Sequence, residues 1–305
     1  MNTIAQAHPL PTTIGDYLLQ LRQALAGADP AMIQDALYDA EDYLRSELAE
    51  QKGKSEAEVI AGVASSYGAP EEVAEIYRET EVTVARALCP PVPPKRASWI
   101  GTFFGVAADP RTYGALFYML LSLLTGVFYF TWIVTGTSLS VGMLVLIIGV
   151  PLLVLFFGSV RVLSLVEGRV VETLLGVRMP RRPQHPGLQG GWLQRIGAMF
   201  TDARTWSTML YFLLMLPLGI LYFTVFCTLL SLSLGLAASP IAVLFDNVAV
   251  LTWDGVDITS AWLTLPLFAV GVLLLFVTLH LARAFGKLHG MLAKQLLVKS
   301  GEAGA

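Results

Sequence analysis

The chain has 305 residues, of which 55% are hydrophobic and only 14% are charged, with a mean hydropathy of +0.63. A soluble globular domain carries about 25% charged residues, so a wholly water-soluble protein is excluded. Residues 1–97 hold 8 Lys/Arg and 15 Asp/Glu, and residues 98–305 hold 12 and 8, giving nets of −7 and +4 that sum to the −3 of the whole chain. The sequence divides near residue 97 into an acidic part and an apolar, basic part.

The acidic part comes first and has helical periodicity. Thr13 or Asp16 caps a helix carrying Tyr17, Leu18, Leu21 and Leu25. Asp29 and Pro30 open a second, with Ile33, Ala36, Leu37, Ala40, Tyr43, Leu44 and Leu48 on one face. Ser55 and Glu58 form a capping box for a third helix, which turns Val59, Val63 and Tyr67 inward. Gly68 closes it, and Pro70 starts a fourth with Val73, Ile76 and Tyr77. Residues 1–83 are therefore expected to be a small helical bundle with an acidic surface. A core this small invites docking on a partner or in a homodimer. No basic, then apolar, signal peptide precedes it, which keeps it cytoplasmic. Residues 84–98, with Cys89 and four prolines, read as a stiff spacer. Cys89 and Cys227 have no pairing pattern and are expected to be reduced.

The apolar part follows. No Asp, Glu, Lys, Arg or His falls in 113–160 or in 205–245. The first run holds two spans of about 20 residues, expected near 113–134 and 139–159 with a polar break at Thr135, Gly136, Thr137 and Ser138. Two more are expected near 207–231 and 261–281. All 12 basic residues of this half fall in the segments on one side of these spans, which the positive-inside rule makes cytoplasmic. The fold class is thus all-α: four transmembrane helices with interfacial amphipathic helices and a soluble N-terminal bundle, with both termini cytoplasmic.

The membrane half repeats itself. Aligning 109–131 with 202–224 gives 11 identities in 23 positions, among them Asp109/Asp202, Arg111/Arg204, Thr112/Thr205, Tyr118/Tyr211, Gly126/Gly219 and Tyr129/Tyr222. A weaker echo at an offset of 122 pairs Gly168 with Gly290, and Leu174 and Leu175 with Leu296 and Leu297. Repeat units of about 99–178 and 192–299 then form two hairpins about a pseudo-twofold axis along the membrane normal, unlike inverted repeats. Asp109 and Asp202 suit helix N-caps, and Arg111 and Arg204 reach lipid phosphates or line a shared vestibule. In 160–177, Val160, Leu163, Val166, Val170, Leu174 and Val177 make an apolar stripe with Arg161, Glu167, Arg169 and Glu172 off it, as in a helix lying at the membrane surface. Trp99, Phe103, Phe104 and Trp192 read as interfacial anchors, and 178–190 as a basic solvated loop near anionic lipid. On the outer side Asp254 and Gly255 mark a hairpin turn. Asp246, Trp253, Asp254 and Asp257 are candidates for sensing there. Asp109, Arg111, Asp202, Arg204, Glu167, Arg169 and His280 are candidates for relay, His280 being the one ionisable group placed inside a span.

Two resemblances rest on these residues. Tyr17 to Arg22, Ala40 to Leu44 and Tyr67 to Ala74 resemble the HAAS/DUF1700 helical signalling domains, often encoded beside PadR-type regulators, although Tyr67 and Ala69 stand where that family has Leu and Asp. Asp202 to Trp206, Leu216 to Gly219, Gly149 to Pro151, Glu167 to Arg169 and Leu174 to Gly176 resemble a transmembrane domain of bacterial sensor proteins, sometimes found ahead of histidine kinases. The chain itself has no phosphoacceptor His box and no Gly-rich ATP loop. His8, His185, His280 and His289 lack metal-ligand spacing. No catalytic, cofactor or metal site is expected, and no nucleic-acid binding. The resemblances imply a non-enzymatic membrane sensor that contacts lipids and binds a cytoplasmic regulator through 13–80. The alternatives are a small transporter or lipid-binding component, and a scaffold.

Overall fold

The caps foreseen from sequence form and set the helix starts of the N-terminal half. The computed structural model describes residues 11–51, 53–88, 98–146, 149–182, 201–246, 252–253, 256–257 and 261–298. Contacts divide the chain into one unit of Met1–Pro90, Arg178–Thr201 and Val298–Ala305 and another of Pro91–Val177 and Asp202–Leu297.

The first unit holds α1 (Ile14–Ala24), α2 (Pro30–Glu50), α3 (Glu56–Ser66) and α4 (Pro70–Leu88). Thr13 Oγ1 accepts from the Asp16 N–H at 3.1 Å, and Asp29 Oδ1 from the Ala31 N–H at 2.9 Å. Ser55 and Glu58 close the capping box from both sides. Gly68, at φ +115°, makes the turn into α4 that a side chain would strain. Tyr17, Leu21, Leu25, Ala36, Ala40, Leu44, Val59, Ile60, Val63 and Val73 form the core. Tyr17 donates to the Gly68 carbonyl at 2.9 Å and ties α1 to that turn. Ile76 departs from the expectation: it is 56% exposed. The segment 178–190 also departs from a solvated loop, because its described part, 178–182, belongs to this unit with Met179 fully buried.

The second unit holds α5 (Trp99–Phe104), a 3-10 turn, α6 (Pro110–Gly142), another 3-10 turn, α7 (Gly149–Leu175), α8 (Ala203–Asp246), a two-residue antiparallel pair (Thr252–Trp253 with Val256–Asp257) and α9 (Ala261–Leu297). Four of these helices are long and apolar enough to cross a membrane. All four run past their expected C-terminal ends, and the second begins at Gly149 instead of near 139. Thr135 to Ser138 do not break the first span, which stays helical to Gly142. Where water is absent a helix must keep satisfying its own amides, so weak polar breakers do not end it. The amphipathic stretch 160–177 is largely the continuation of α7, and the tail from Arg283 is the continuation of α9. The residues α7 buries are Val160, Glu167, Gly168 and Val171 among others, whereas Val166 of the expected stripe is half exposed.

Candidate functional site

The continuation of α7 and α9 carries two ionisable side chains into the interior of the membrane unit. Glu167 is 0% exposed and His289 1% exposed. Burying a carboxylate costs free energy unless hydrogen bonds compensate, and here three phenols do so. Tyr118 donates to Glu167 Oε1 at 2.6 Å, Tyr211 donates to the same oxygen at 3.0 Å, and Tyr129 donates to Oε2 at 2.9 Å. His289 Nε2 lies 2.7 Å from the Tyr118 hydroxyl and 3.0 Å from that of Tyr211. A phenol has one proton to give. With those of Tyr118 and Tyr211 given to Glu167, Nε2 is the donor to both oxygens. Nδ1 of a neutral ring then accepts, and the Tyr222 hydroxyl lies 3.4 Å from it. One assignment thus satisfies the whole network, with the proton of His289 placed by its neighbours rather than seen.

The residues come in pairs. Tyr118/Tyr211 and Tyr129/Tyr222 stand at the offset of 93, and Glu167/His289 at the offset of 122. Other contacts follow the same offsets. Arg161 Nη2 meets Asp202 Oδ2 at 3.5 Å, and Arg283 Nη2 meets Asp109 Oδ2 at 3.2 Å. A Cβ added at Gly126 would stand 2.4 Å from the Met215 carbonyl oxygen, and one at Gly219 would stand 2.3 Å from that of Ser122. Glycine is required at both places because α6 and α8 meet main chain to main chain.

Residues 118–297 match the family described as "Putative sensor", which is 180 of the 305 residues. The chain belongs to this sensor family. No curated protein and no solved structure matches it. The matched stretch of the sensor domain begins at Tyr118 and takes in every member of the buried network. With its four apolar helices the protein is a multi-pass membrane sensor-family protein.

Among the relay candidates, Asp109 and Asp202 are N-caps, accepting from the Arg111 and Arg204 N–H groups at 3.1 Å each. The Arg111 side chain is exposed and that of Arg204 half-buried. Arg169 pairs with Glu172 on the outside of α7, away from the network. His280 Nε2 lies 3.0 Å from the Phe103 carbonyl, and its ring stacks on that of Phe103. His280 is not the only ionisable residue inside a span, since Glu167 and His289 are deeper in the packing. Asp254 and Trp192 lie outside the described residues, and Asp246, Trp253 and Asp257 are described in backbone only. Cys227 is a free thiol, and Cys89 is outside the described residues. Sequence reasoning missed His289 and the four tyrosines as a site. The signal was present: the offset that aligns Gly168 with Gly290 also sets Glu167 opposite His289.

Proposed function

We propose that the protein is a non-enzymatic signal transducer of the bacterial inner membrane, with both termini cytoplasmic, coupling a membrane or extracytoplasmic stimulus to a cytoplasmic regulator. The observation that carries this reading is the buried bridge between Glu167 on α7 and His289 on α9 through the Tyr118 and Tyr211 hydroxyls. Each end of the bridge sits on the second helix of one duplicated hairpin. Sliding one hairpin past the other breaks short hydrogen bonds in a place that offers no water to replace them, so the pair favours discrete arrangements over gradual deformation. A ligand or lipid condition that prefers one arrangement shifts the population. The basic residues gathered at one end of the spans support the orientation. The N-terminal bundle, with its exposed carboxylates and HAAS-like pattern, is the docking element for the regulator, of PadR type in this reading.

Full-length protein and a form lacking residues 1–97 should be captured from native membranes in mild detergent and compared by mass spectrometry. A cytoplasmic regulator held by the full chain and lost on truncation is expected. Identical partner sets for the two forms would sink the docking role of the bundle.

A further inference from the structure

Among the described residues of the first unit, charges gather where the segment 178–182 meets α2 and α4. Asp35 Oδ1 accepts the N–H groups of Arg181 and Arg182 at 2.6 and 2.9 Å. Asp35 Oδ2 lies 3.2 Å from Arg178 Nη2, which is also 3.1 Å from Glu81 Oε2. Arg182 Nε reaches Asp39 Oδ1 at 3.0 Å, and its carbonyl accepts from Gln34 Nε2 at 3.2 Å. Met179 is fully buried between these polar anchors in sequence. The segment is neither helix nor strand. Its main chain and its guanidinium groups are both recognised, which is how a folded surface reads a short peptide.

Two features separate this contact from ordinary core packing. The α2 residues that touch the strap are Gln34, Asp35 and Asp39, whereas α2 turns Ala36, Ala40 and Leu44 into the core. The α2 and α4 side of the contact offers amide and carboxylate groups that water can take over when the strap leaves, while the strap itself buries Met179 and Pro180. Interfaces of this polar kind are typical of contacts that form and release. The strap is also the direct continuation of α7, two residues beyond Gly176, whose φ of +69° ends the helix sharply.

We propose that the face of α2 and α4 formed by Gln34, Asp35, Asp39 and Glu81 is a receptor site for an arginine-rich peptide, occupied by the chain's own 178–182 as a tethered and displaceable ligand. A partner protein whose basic segment has arginines at the spacing of Arg178, Arg181 and Arg182 takes the site when the strap leaves. The site stands whatever the membrane half detects.

The probe is a fluorescent peptide with the sequence of residues 177–183, added to the full-length protein in nanodiscs and read by anisotropy. The tethered strap competes at an effective concentration in the millimolar range, so wild-type protein should bind the peptide weakly and the double variant Arg178→Ala/Arg182→Ala at least about tenfold more tightly. Adding Asp35→Asn to that double variant should remove the gain. Equal binding by wild type and the double variant, or binding that survives Asp35→Asn, would overturn the proposal. Hydrogen exchange on the wild type covers the case of a variant that fails to fold. Excess peptide should deprotect the Arg181 and Arg182 amides, and protection unchanged at saturating peptide would equally overturn it.

Discussion

In the N-terminal unit Leu21, Leu25, Leu44 and Ile60 are buried while Asp16, Glu71, Glu72 and Glu75 face out. In the membrane unit Leu124 and Leu155 face out, Leu155 at 71% exposure, while Glu167, His289, Ser122, Ser233 and Thr278 are buried. Water sorts side chains by polarity and drives the first arrangement. Lipid tails are as apolar as leucine, so in the second the interior is chosen by packing and hydrogen bonding instead. The same chain is therefore assembled by two different selection rules, and a substitution should be judged by the rule of the unit it falls in.

The largest expected effect tests that contrast within one helix. Gly126→Leu places a side chain against the Met215 carbonyl and should cost about 3 kcal/mol or more, seen as loss of a monodisperse peak in detergent chromatography. Leu124→Ala, two residues away on an exposed position, should cost under about 0.5 kcal/mol. A buried leucine of the N-terminal core behaves oppositely: Leu44→Ala should cost about 2–5 kcal/mol in thermal unfolding. If Leu124→Ala proves as damaging as Leu44→Ala, the two-rule account is wrong.

Next come the phenols. Tyr129→Phe leaves Glu167 Oε2 without the 2.9 Å donor and should cost about 1–3 kcal/mol. Tyr222→Phe, 93 residues further along the chain, removes only a 3.4 Å contact to His289 and should cost less in the same melt. Equal losses would mean that the two halves share the load evenly despite their unequal distances.

The smallest effect belongs to the water-facing unit. Ser55→Ala removes half of a capping box and should cost about 1 kcal/mol. Hydrogen bonds from Ser55, the backbone one first, hold the Glu58 carboxyl below its ordinary value. A depressed carboxyl adds stability above its unfolded value, and that stability fades as pH falls through the lower folded value. Thermal midpoints across the carboxylate range, about pH 3 to 5, should therefore fall less steeply for Glu58→Gln, which has no carboxyl there to titrate, than for wild type. Parallel curves would remove Glu58 from the account.

What could be read from the sequence follows the same division. Thr13, Asp29, Ser55, Gly68 and Pro70 mark their helices because caps are local, as Asp109 and Asp202 are in the membrane half. Ile76 misled because a single apolar residue on an outer face carries little penalty. In the membrane half the spans were legible from the uncharged runs, but their ends were not, since serine and threonine do not stop a helix there. Of the stripe, Val160 is buried and Val166 is half exposed, because apolarity alone has no inward meaning in lipid. Glu167 looked like part of a surface helix, and His289 was only one of four scattered histidines, until α7 and α9 proved continuous. The paired tyrosines were visible as repeats but not as ligands of a common centre. Nothing local to Tyr118 announces a partner 49 residues away in one direction and 171 in the same chain.

The glycine contact has one more consequence. Where Gly126 and Gly219 lie against the facing main chains there is no room for even a methyl group, so α6 and α8 leave no lumen between them at that level. Neither water nor an acyl tail can thread that crossing. Rotation of one helix against the other keeps the contact intact, whereas separation destroys it, which makes the crossing a pivot.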